Sequence, residues 1–518
     1  MPLPKRALYW ILAIWILALG FRVLYTTQLN PDPDLTGDGI YYHGLSNDLA
    51  KGSGFRLTSL DFAETREVAD HPPGYVVMLS AASRLGLTSM DEHRLISALV
   101  GSLTVPLLGL AAGRLAGTRR RGPPPAPRVV AWAAVAAAAI AALDVNMWIW
   151  DPLLLAEPLV LTAAAAWLLA CLVYDDRPSL GVALTVGLTL GVAAATRSEL
   201  LVAGAVVPWL LWRNRGQTLP RLATHGAVMV SGLVLLVGPW VWTNLHRFDE
   251  PVVMTTGLGN TMVQANCDAA FYGPATGYSD FTCFSRTRTL VSPDMDDSEK
   301  DVLFRRIATN YISENRARFP VVAAARVART FGFFRPTQQV GYMEGVELRG
   351  PHWAVWSGIV SWQLLLPVGV AGVVLAPPQR APDRAGAAGD RRDRHGGVAH
   401  PGGGPLPHGA GTDADRLCGL CRGPLPGRCR AFHTGARRHR VGSMAAQVGT
   451  GARARGGDVV THLAIRVVGA DRPGITADLM STLAALETDL EDVEQVLVRQ
   501  RLILAAVVGT ERPDSVRA

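Results

Sequence analysis

Asp38, Tyr41, Tyr42, Lys51, Arg56 and His71 fall within one stretch, Asn30 to Tyr75, that is rich in carboxylates, aromatic rings and glycines. Moving a sugar off a phosphate-linked carrier needs a base for the accepting hydroxyl, cations or hydrogen-bond donors for the departing phosphate, and flat surfaces for the rings. The six residues are of those types, with Asp38 as the candidate base. The competing reading makes Asp38 a turn residue ahead of Gly39.

Further along, Glu157 and Arg197 sit at the ends of apolar runs, where charge is costly unless it meets protein, water or headgroups. Glu157 could support deprotonation of an acceptor, and Arg197 could hold a phosphate bidentately. Each also reads as an anchor for its helix end. Asp32-Pro33-Asp34 matches a D-x-D metal pattern, but a proline turn leaving a helix accounts for it as well. No metal site is assigned and no cofactor is required; dependence on a divalent metal stays open.

The elements that must position these residues are membrane helices. Apolar residues make up 49% of the chain and charged residues 18%. The apolar residues are grouped in runs of roughly 18 to 23, the length that crosses a bilayer as a helix. Eight spans are expected, at 7–27, 94–117, 129–147, 154–174, 179–196, 199–212, 225–244 and 354–376. The stretch from Pro73 to Leu87 suits an interfacial or re-entrant helix. Basic clusters at Lys5 and Arg6, at Arg119 to Arg128, and at Arg213 to Arg221 then share one side. This predicts a multi-pass protein of the inner (plasma) membrane with both termini cytoplasmic and 28–93 and 245–353 facing outward. At such a face Asp38 is expected to have a raised pKa suited to a base. These loops and the Arg-rich segment after Ala376 account for the basic pI near 9.3, so no nucleic-acid partner is expected.

Cys267 and Cys283 lie in the outward segment, where a disulfide is favoured, and Cys171 reads as a packing residue within a span. Residues 316–329, with four arginines, read as an amphipathic interfacial helix able to meet lipid phosphates.

The chain resembles the GT-C superfamily, in particular bacterial protein mannosyltransferases and aminoarabinose transferases. The resemblance rests on Gly37-Asp38-x-x-Tyr41-Tyr42, Leu49-Ala50-x-Gly52-x-Gly54, Pro72-Pro73-Gly74-Tyr75, Ala156-Glu157-Pro158, Thr196-Arg197-Ser198-Glu199 and Pro239-Trp240 leading to Asn244. It implies that residues 1–376 are a membrane glycosyltransferase domain using a polyprenyl-phosphate sugar. Asp38 would be the catalytic carboxylate, and the acceptor would be a glycan, lipid or protein.

After Ala376 the composition turns to Arg, Gly, Pro, Ala and His, and 377–458 is expected to be disordered. A natural linker and a shifted reading frame in a GC-rich gene both yield such a mixture; the second implies a truncated, inactive transferase fused to the start of a neighbouring gene. Cys418-Gly-Leu-Cys421 with Cys429 and His433 has zinc-like spacing without a supporting hairpin or helix. Regular patterning returns over 459–512 as strand, turn, helix and two strands, a βαββ α+β unit. With its turn Gly469-x-Asp471-Arg472-Pro473-Gly474-Ile475 it resembles part of an ACT domain, most closely that of phosphoserine phosphatases. The resemblance implies an amino acid as ligand near Asp471, Arg472, Pro473, Gly474 and Ile475, and an alternative function in amino-acid (serine) sensing with a membrane anchor. A phosphatase nucleophile motif is missing, so phosphatase activity is not expected.

Overall fold

The computed structural model describes residues 3–30, 37–58, 65–117, 125–214, 217–292, 294–345 and 350–375, and in the C-terminal part 445–452, 461–470, 479, 483, 489–498 and 501–510. Two compact units divide the chain, Met1–Ala399 and His400–Ala518.

The first unit is helical. Helix α1 (Lys5–Leu24) runs on as a π-helical turn, Tyr25–Leu29, and is followed by α2 (Gly37–Ala50), the antiparallel pair β1 (Arg56–Thr58) and β2 (Thr65–Glu67), and α3 (Gly74–Arg84). Then come α4 (Met90–Ser102), α5 (Thr104–Gly117), α6 (Pro127–Leu143), two single 3-10 turns, α7 (Glu157–Asp176), α8 (Leu180–Thr196), a 3-10 run Ser198–Ala205, α9 (Val206–Arg213) and α10 (Leu219–Arg247). A polar segment carries α11 (Leu258–Ala265), α12 (Asp268–Phe271), α13 (Phe281–Arg288), α14 (Asp297–Glu314), α15 (Phe319–Thr330) and α16 (Pro336–Gly345) before the apolar α17 (His352–Leu375).

Among the described residues, five helices are long and apolar enough to cross a membrane: Lys5–Leu29, Met90–Gly117, Glu157–Asp176, Leu219–Arg247 and His352–Leu375. Their large apolar side chains remain exposed, as Trp10 and Leu17 do on α1 and Val373 and Leu375 on α17, the pattern expected where lipid is the solvent. Eight separate spans are not reproduced helix for helix. The run expected at 129–147 ends at Asp144, whose carboxylate accepts from the Asn146 backbone N–H, and continues only as Val145–Leu153, bent by 77°. The run expected at 199–212 divides into the 3-10 segment and α9, where Pro208 lacks the N–H that a continuous helix needs. α8 is a shorter apolar helix. The stretch Pro73 to Leu87 forms the short α3, which buries Tyr75, Val76 and Leu79 in protein.

Small residues let helices approach closely. A Cβ added at Gly187 on α8 would lie 2.0 Å from the Met229 carbonyl oxygen on α10, and one at Gly232 would lie 2.9 Å from the Leu188 nitrogen.

In the second unit β3 (Ala445–Ala452), β4 (Thr461–Ala470), β5 (Asp489–Val498) and β6 (Arg501–Thr510) form an antiparallel sheet in the order β3-β4-β6-β5. Leu479 and Leu483, within the expected helix, are helical. Residues 445–452 correct the expectation of disorder. They pair along β4 from Ala445 opposite Val468 to Ala452 opposite Thr461, and this neighbour satisfies backbone groups that composition alone leaves without partners. The Asp32-Pro33-Asp34 and Cys418 to His433 patterns lie outside the described residues, as does Asp471 to Ile475.

Replacing Gly187 by Ala forces α8 and α10 apart. An expected loss of roughly 1–3 kcal/mol, the usual cost of overpacking, should lower the thermal unfolding midpoint of the detergent-solubilised chain. A midpoint equal to the parent would show that α8 and α10 do not pack backbone to backbone.

Candidate functional site

Asp38 stands in the first turn of α2 and His71 in the loop that leads into α3. Four contacts bring them together with the tyrosines. His71 Nε2 lies 3.4 Å from Asp38 Oδ1. The His71 ring packs at 5.1 Å from Tyr41 and 5.0 Å from Tyr42. Tyr42 in turn meets Tyr75 edge-on at 5.0 Å. Tyr42 and Tyr75 belong to a buried cluster with Leu45, Val68, Val76, Leu79 and Ala156, against which Tyr41 packs and which binds α2 to α3 and to the residue just before Glu157.

The second half of the site arrives through the turn Pro72-Pro73-Gly74. A Cβ at Gly74 would lie 2.7 Å from the Ala195 carbonyl and 2.8 Å from Thr196 Oγ1, so the start of α3 rests against the last turn of α8. Arg197 follows directly and forms an ion pair with Glu157 at the start of α7. The charges of Arg197 and Glu157 both act on Tyr42, and that of Arg197 on Asp38. Asp38, Tyr41, Tyr42, His71, Glu157 and Arg197 therefore form one cluster, drawn from four separate stretches of chain.

The electrostatics differ from the expectation for Asp38. A hydrogen bond from His71 holds its carboxyl below the usual carboxylate range; burial opposes this, and the positive fields of His71 and Arg197 add to it. Its side chain is 58% exposed, so desolvation loses to the hydrogen bond. Burial raises both Tyr41 and Tyr42, whose hydroxyls stay protonated and able to donate.

Lys51 and Arg56 are not brought in. Lys51 lies thirteen residues beyond Asp38 along and past α2, about 20 Å at 1.5 Å per residue, and pairs at 3.3 Å with Asp48. Arg56 pairs across the β-hairpin with Glu67 at 2.6 Å. Arg197 is also not a free cation, because Glu157 takes part of its charge.

Arg247 fixes the hairpin and was not singled out by its sequence context. It donates to the Phe55 and Val68 carbonyls, to Glu67 and to Asn244 Oδ1, and stacks on Trp240 at 4.9 Å. The Thr256 backbone N–H donates to the Ala69 carbonyl at 2.9 Å, holding the approach to His71. The signal available was Pro239-Trp240 with Asn244, three residues before Arg247 on the same helix.

Cys267 and Cys283 are disulfide-bonded, and Cys171 is buried as a thiol. Three of the four arginines expected to meet lipid phosphates fold inward instead: Arg318 donates to the Phe271 carbonyl, Arg326 to the Ala265 carbonyl, and Arg329 to the Thr276 carbonyl, while Arg316 stays exposed and donates to the Ser313 carbonyl. The acceptors are backbone carbonyls within 265–278, the stretch that holds the short α12 and the turns on either side of it. Asp249, Asp296 and Glu299 lie close enough to share a cation. Asp296 already caps α14 by accepting from the Ser298 and Glu299 backbone N–H groups.

Comparison with known proteins bears on the second unit. The ACT domain family matches residues 461–517, so the chain carries an ACT domain there. Phosphoserine phosphatase of Streptomyces coelicolor is 54% identical over 54 residues, which are 10% of this chain and 13% of that protein. A UPF0237 protein of Methanopyrus kandleri is 34% identical over 55 residues, 11% of this chain and 61% of that protein. The chain thus spans less than two thirds of either relative.

Removing His71 tests the electrostatics. In His71→Ala the Asp38 carboxyl loses its largest stabilising contact, and its titration midpoint, followed by carbon NMR of labelled aspartate with Asp38→Asn as the blank, should move up. Sign follows from linkage: a depressed folded pKa contributes stability above the unfolded value and loses it as pH falls through the folded one. An unmoved midpoint would show that His71 does not hold Asp38 down.

Proposed function

We propose that the membrane unit transfers a sugar from a polyprenyl-phosphate carrier to an acceptor on the outward face. The observation that supports this most directly is the cluster of Asp38, His71, Tyr42 and the Glu157–Arg197 pair at the ends of apolar helices. A lipid-borne phosphate and a water-borne acceptor can meet at that level.

In this reading the acceptor oxygen forms a bond to the sugar's anomeric carbon as the carbon–oxygen bond to phosphate breaks, and the polyprenyl phosphate leaves with the electron pair. Asp38 stays ionised at neutral pH and accepts the hydrogen bond of the attacking hydroxyl. A carboxylate held below its usual range is a weak base toward a resting alcohol. It suffices for a late proton transfer, because a hydroxyl bonded to the electron-poor anomeric carbon has become strongly acidic. His71 orients Asp38 and can pass the proton on. Tyr41 and Tyr42 offer ring faces and hydroxyl donors to the sugar, and Glu157 holds Arg197 in place beside them. The topology that fits has both termini cytoplasmic in the inner membrane, with the α2–α3 segment and α11–α16 outward. The count of crossings, five or up to six from the helices themselves, leaves α8 and α9 to complete it.

A second reading is favoured by the match to the ACT family. The unit at 461–517 would bind a small amino acid such as serine and report on its level. Equilibrium dialysis of the full chain against labelled serine tests it; no retention at millimolar serine would remove this reading.

The transfer reading is tested in membranes containing the chain, supplied with radiolabelled polyprenyl-phosphate mannose or arabinose. Asp38→Asn should lower transfer by about 10²- to 10⁴-fold, the usual worth of a positioned acid or base. Transfer that survives the substitution unchanged would remove Asp38 from the chemistry.

A further inference from the structure

The polar segment α11–α16 carries a charge imbalance. From Arg316 to Arg335 the chain holds five arginines, at 316, 318, 326, 329 and 335, and no aspartate or glutamate. Among the described residues none of the five meets a carboxylate. Arg316 donates to the Ser313 carbonyl, Arg318 to Phe271, Arg326 to Ala265, Arg329 to Thr276 and Arg335 to Pro274, all through backbone oxygens. On the neighbouring α14, by contrast, Arg305 pairs with Asp301 at 2.8 Å. Carbonyl oxygens satisfy donors without cancelling charge, and the charge of Arg335 acts on Arg329.

Two of the five, Arg318 and Arg335, line a cleft of 440 Å³ between α15 and the turn after α12, together with Tyr272, Thr276, Val321 and Phe334. That volume falls in the usual range for small ligands, roughly 300–1,000 Å³. Arg318 lies over the Tyr272 ring at 5.6 Å and Arg335 over the Phe334 ring at 5.2 Å. The Tyr272 ring is 57% exposed, yet its hydroxyl is tied to Asn315 Oδ1 at 2.7 Å. Each arginine has committed one nitrogen: Arg318 Nε donates to the Phe271 carbonyl at 3.1 Å, and Arg335 Nη1 to the Pro274 carbonyl at 2.6 Å. Among the described residues the other guanidinium nitrogens have no partner, so each arginine keeps one edge of two donors, the match for the two oxygens of a carboxylate. Arg335 also holds a left-handed backbone, φ 50°. Side chains other than glycine and asparagine adopt that conformation only where the surroundings impose it, and such strain gathers at ligand sites.

We propose that this cleft binds a sugar carboxylate, such as a hexuronate unit of a glycan. The carboxylate supplies the acid that the arginines lack and takes the donor edges of Arg318 and Arg335. The CH face of the sugar ring packs on the exposed Tyr272. A simple carboxylate would leave the aromatic wall unused, and a neutral sugar would leave the arginines uncompensated. An anionic bilayer would neutralise the same charges without needing a cleft. The site stands on its own residues and does not depend on the transferase reading.

The test is equilibrium dialysis of the purified full chain, in neutral detergent, against radiolabelled galacturonate. Galactose serves as the neutral form of the same ring, acetate and inorganic phosphate as anions without the ring, and phosphatidylglycerol added to the micelles as competitor. The parent should retain galacturonate over galactose by roughly tenfold or more, the worth of one charged hydrogen bond, and should retain it over acetate and phosphate as well. Arg318→Gln should lower retention about tenfold. Arg335→Asn should do the same, asparagine being chosen because it tolerates the left-handed backbone. Tyr272→Ala should bring galacturonate down toward acetate. Arg316→Gln, on an exposed arginine that does not line the cleft, should bind like the parent.

Unchanged retention in both Arg318→Gln and Arg335→Asn overturns the proposal, as does equal retention of galactose, acetate or inorganic phosphate. A matching loss in Arg316→Gln would reveal diffuse charge attraction and overturn it too. Displacement by equimolar phosphatidylglycerol would assign the arginines to a membrane surface instead. Should the arginine variants fail to fold, undiminished retention in Ala324→Phe, which fills the cleft and leaves both arginines in place, overturns it. Asp38→Asn should retain galacturonate like the parent, so failure of the transferase reading would leave this site standing.

Discussion

The membrane unit depends on one buried ion pair. Arg22 on α1 is 1% exposed and Asp151 fully buried, with Arg22 Nη1 at 3.1 Å from Asp151 Oδ2 and Nη2 donating to the Met147 carbonyl at 2.6 Å. Such a pair is weak evidence of net stability, because desolvating two ions offsets most of their attraction. Its consequence is geometric. Either partner alone would be an uncompensated charge inside an apolar bundle, so the segment after α6 has to reach back to α1 at this point. A Cβ at Gly101 would lie 2.6 Å from Arg22 Nη1 and 2.8 Å from Asp151 Oδ1, so α4 closes over the pair only because residue 101 has no side chain.

From that tie the candidate site follows. The chain turns between Asp151 and Glu157 through Leu154, a fully buried residue at φ 53°. A left-handed leucine is unfavourable on its own and persists where its surroundings over-determine it. Here the ion pair holds one side and the Ala156 contact with the tyrosine cluster holds the other. Glu157 is thereby delivered to Arg197, and the turn at Gly74 delivers His71 to Asp38. Polar residues from four stretches meet because apolar packing beneath them leaves few other arrangements.

Much of this was legible in the sequence. Span-length apolar runs announced α1, α4–α5, α7, α10 and α17, and the residue types near Asp38 announced the tyrosines and His71. Local patterning could not separate His71 from Lys51. Both are basic and both lie near Asp38 in sequence, but an intact helix carries Lys51 away, whereas the double-proline turn brings His71 back. The Asp38 electrostatics were misjudged for a related reason: a raised pKa follows from burial alone, and the hydrogen bond that reverses it comes from a residue thirty-three positions away. The arginines of α15 show the same limit. An amphipathic pattern states that one face is polar, and only tertiary contacts state whether that face meets lipid or the carbonyls of a neighbouring loop.

The second unit shows how little composition says about a strand. Ala445–Ala452 has small residues and no long apolar run, so its composition gives little reason to fold. Its reason lies in β4, whose free edge would otherwise present a row of unpaired backbone groups. β6 occupies the other edge of β4 and β5 lies beyond it, so β4 is an interior strand only because 445–452 precedes it. The ACT family match begins at 461 and does not include this strand. A βαββ unit can therefore be completed at one edge by backbone from outside the recognisable family segment, and a boundary drawn from family resemblance alone would cut away the strand that covers that edge.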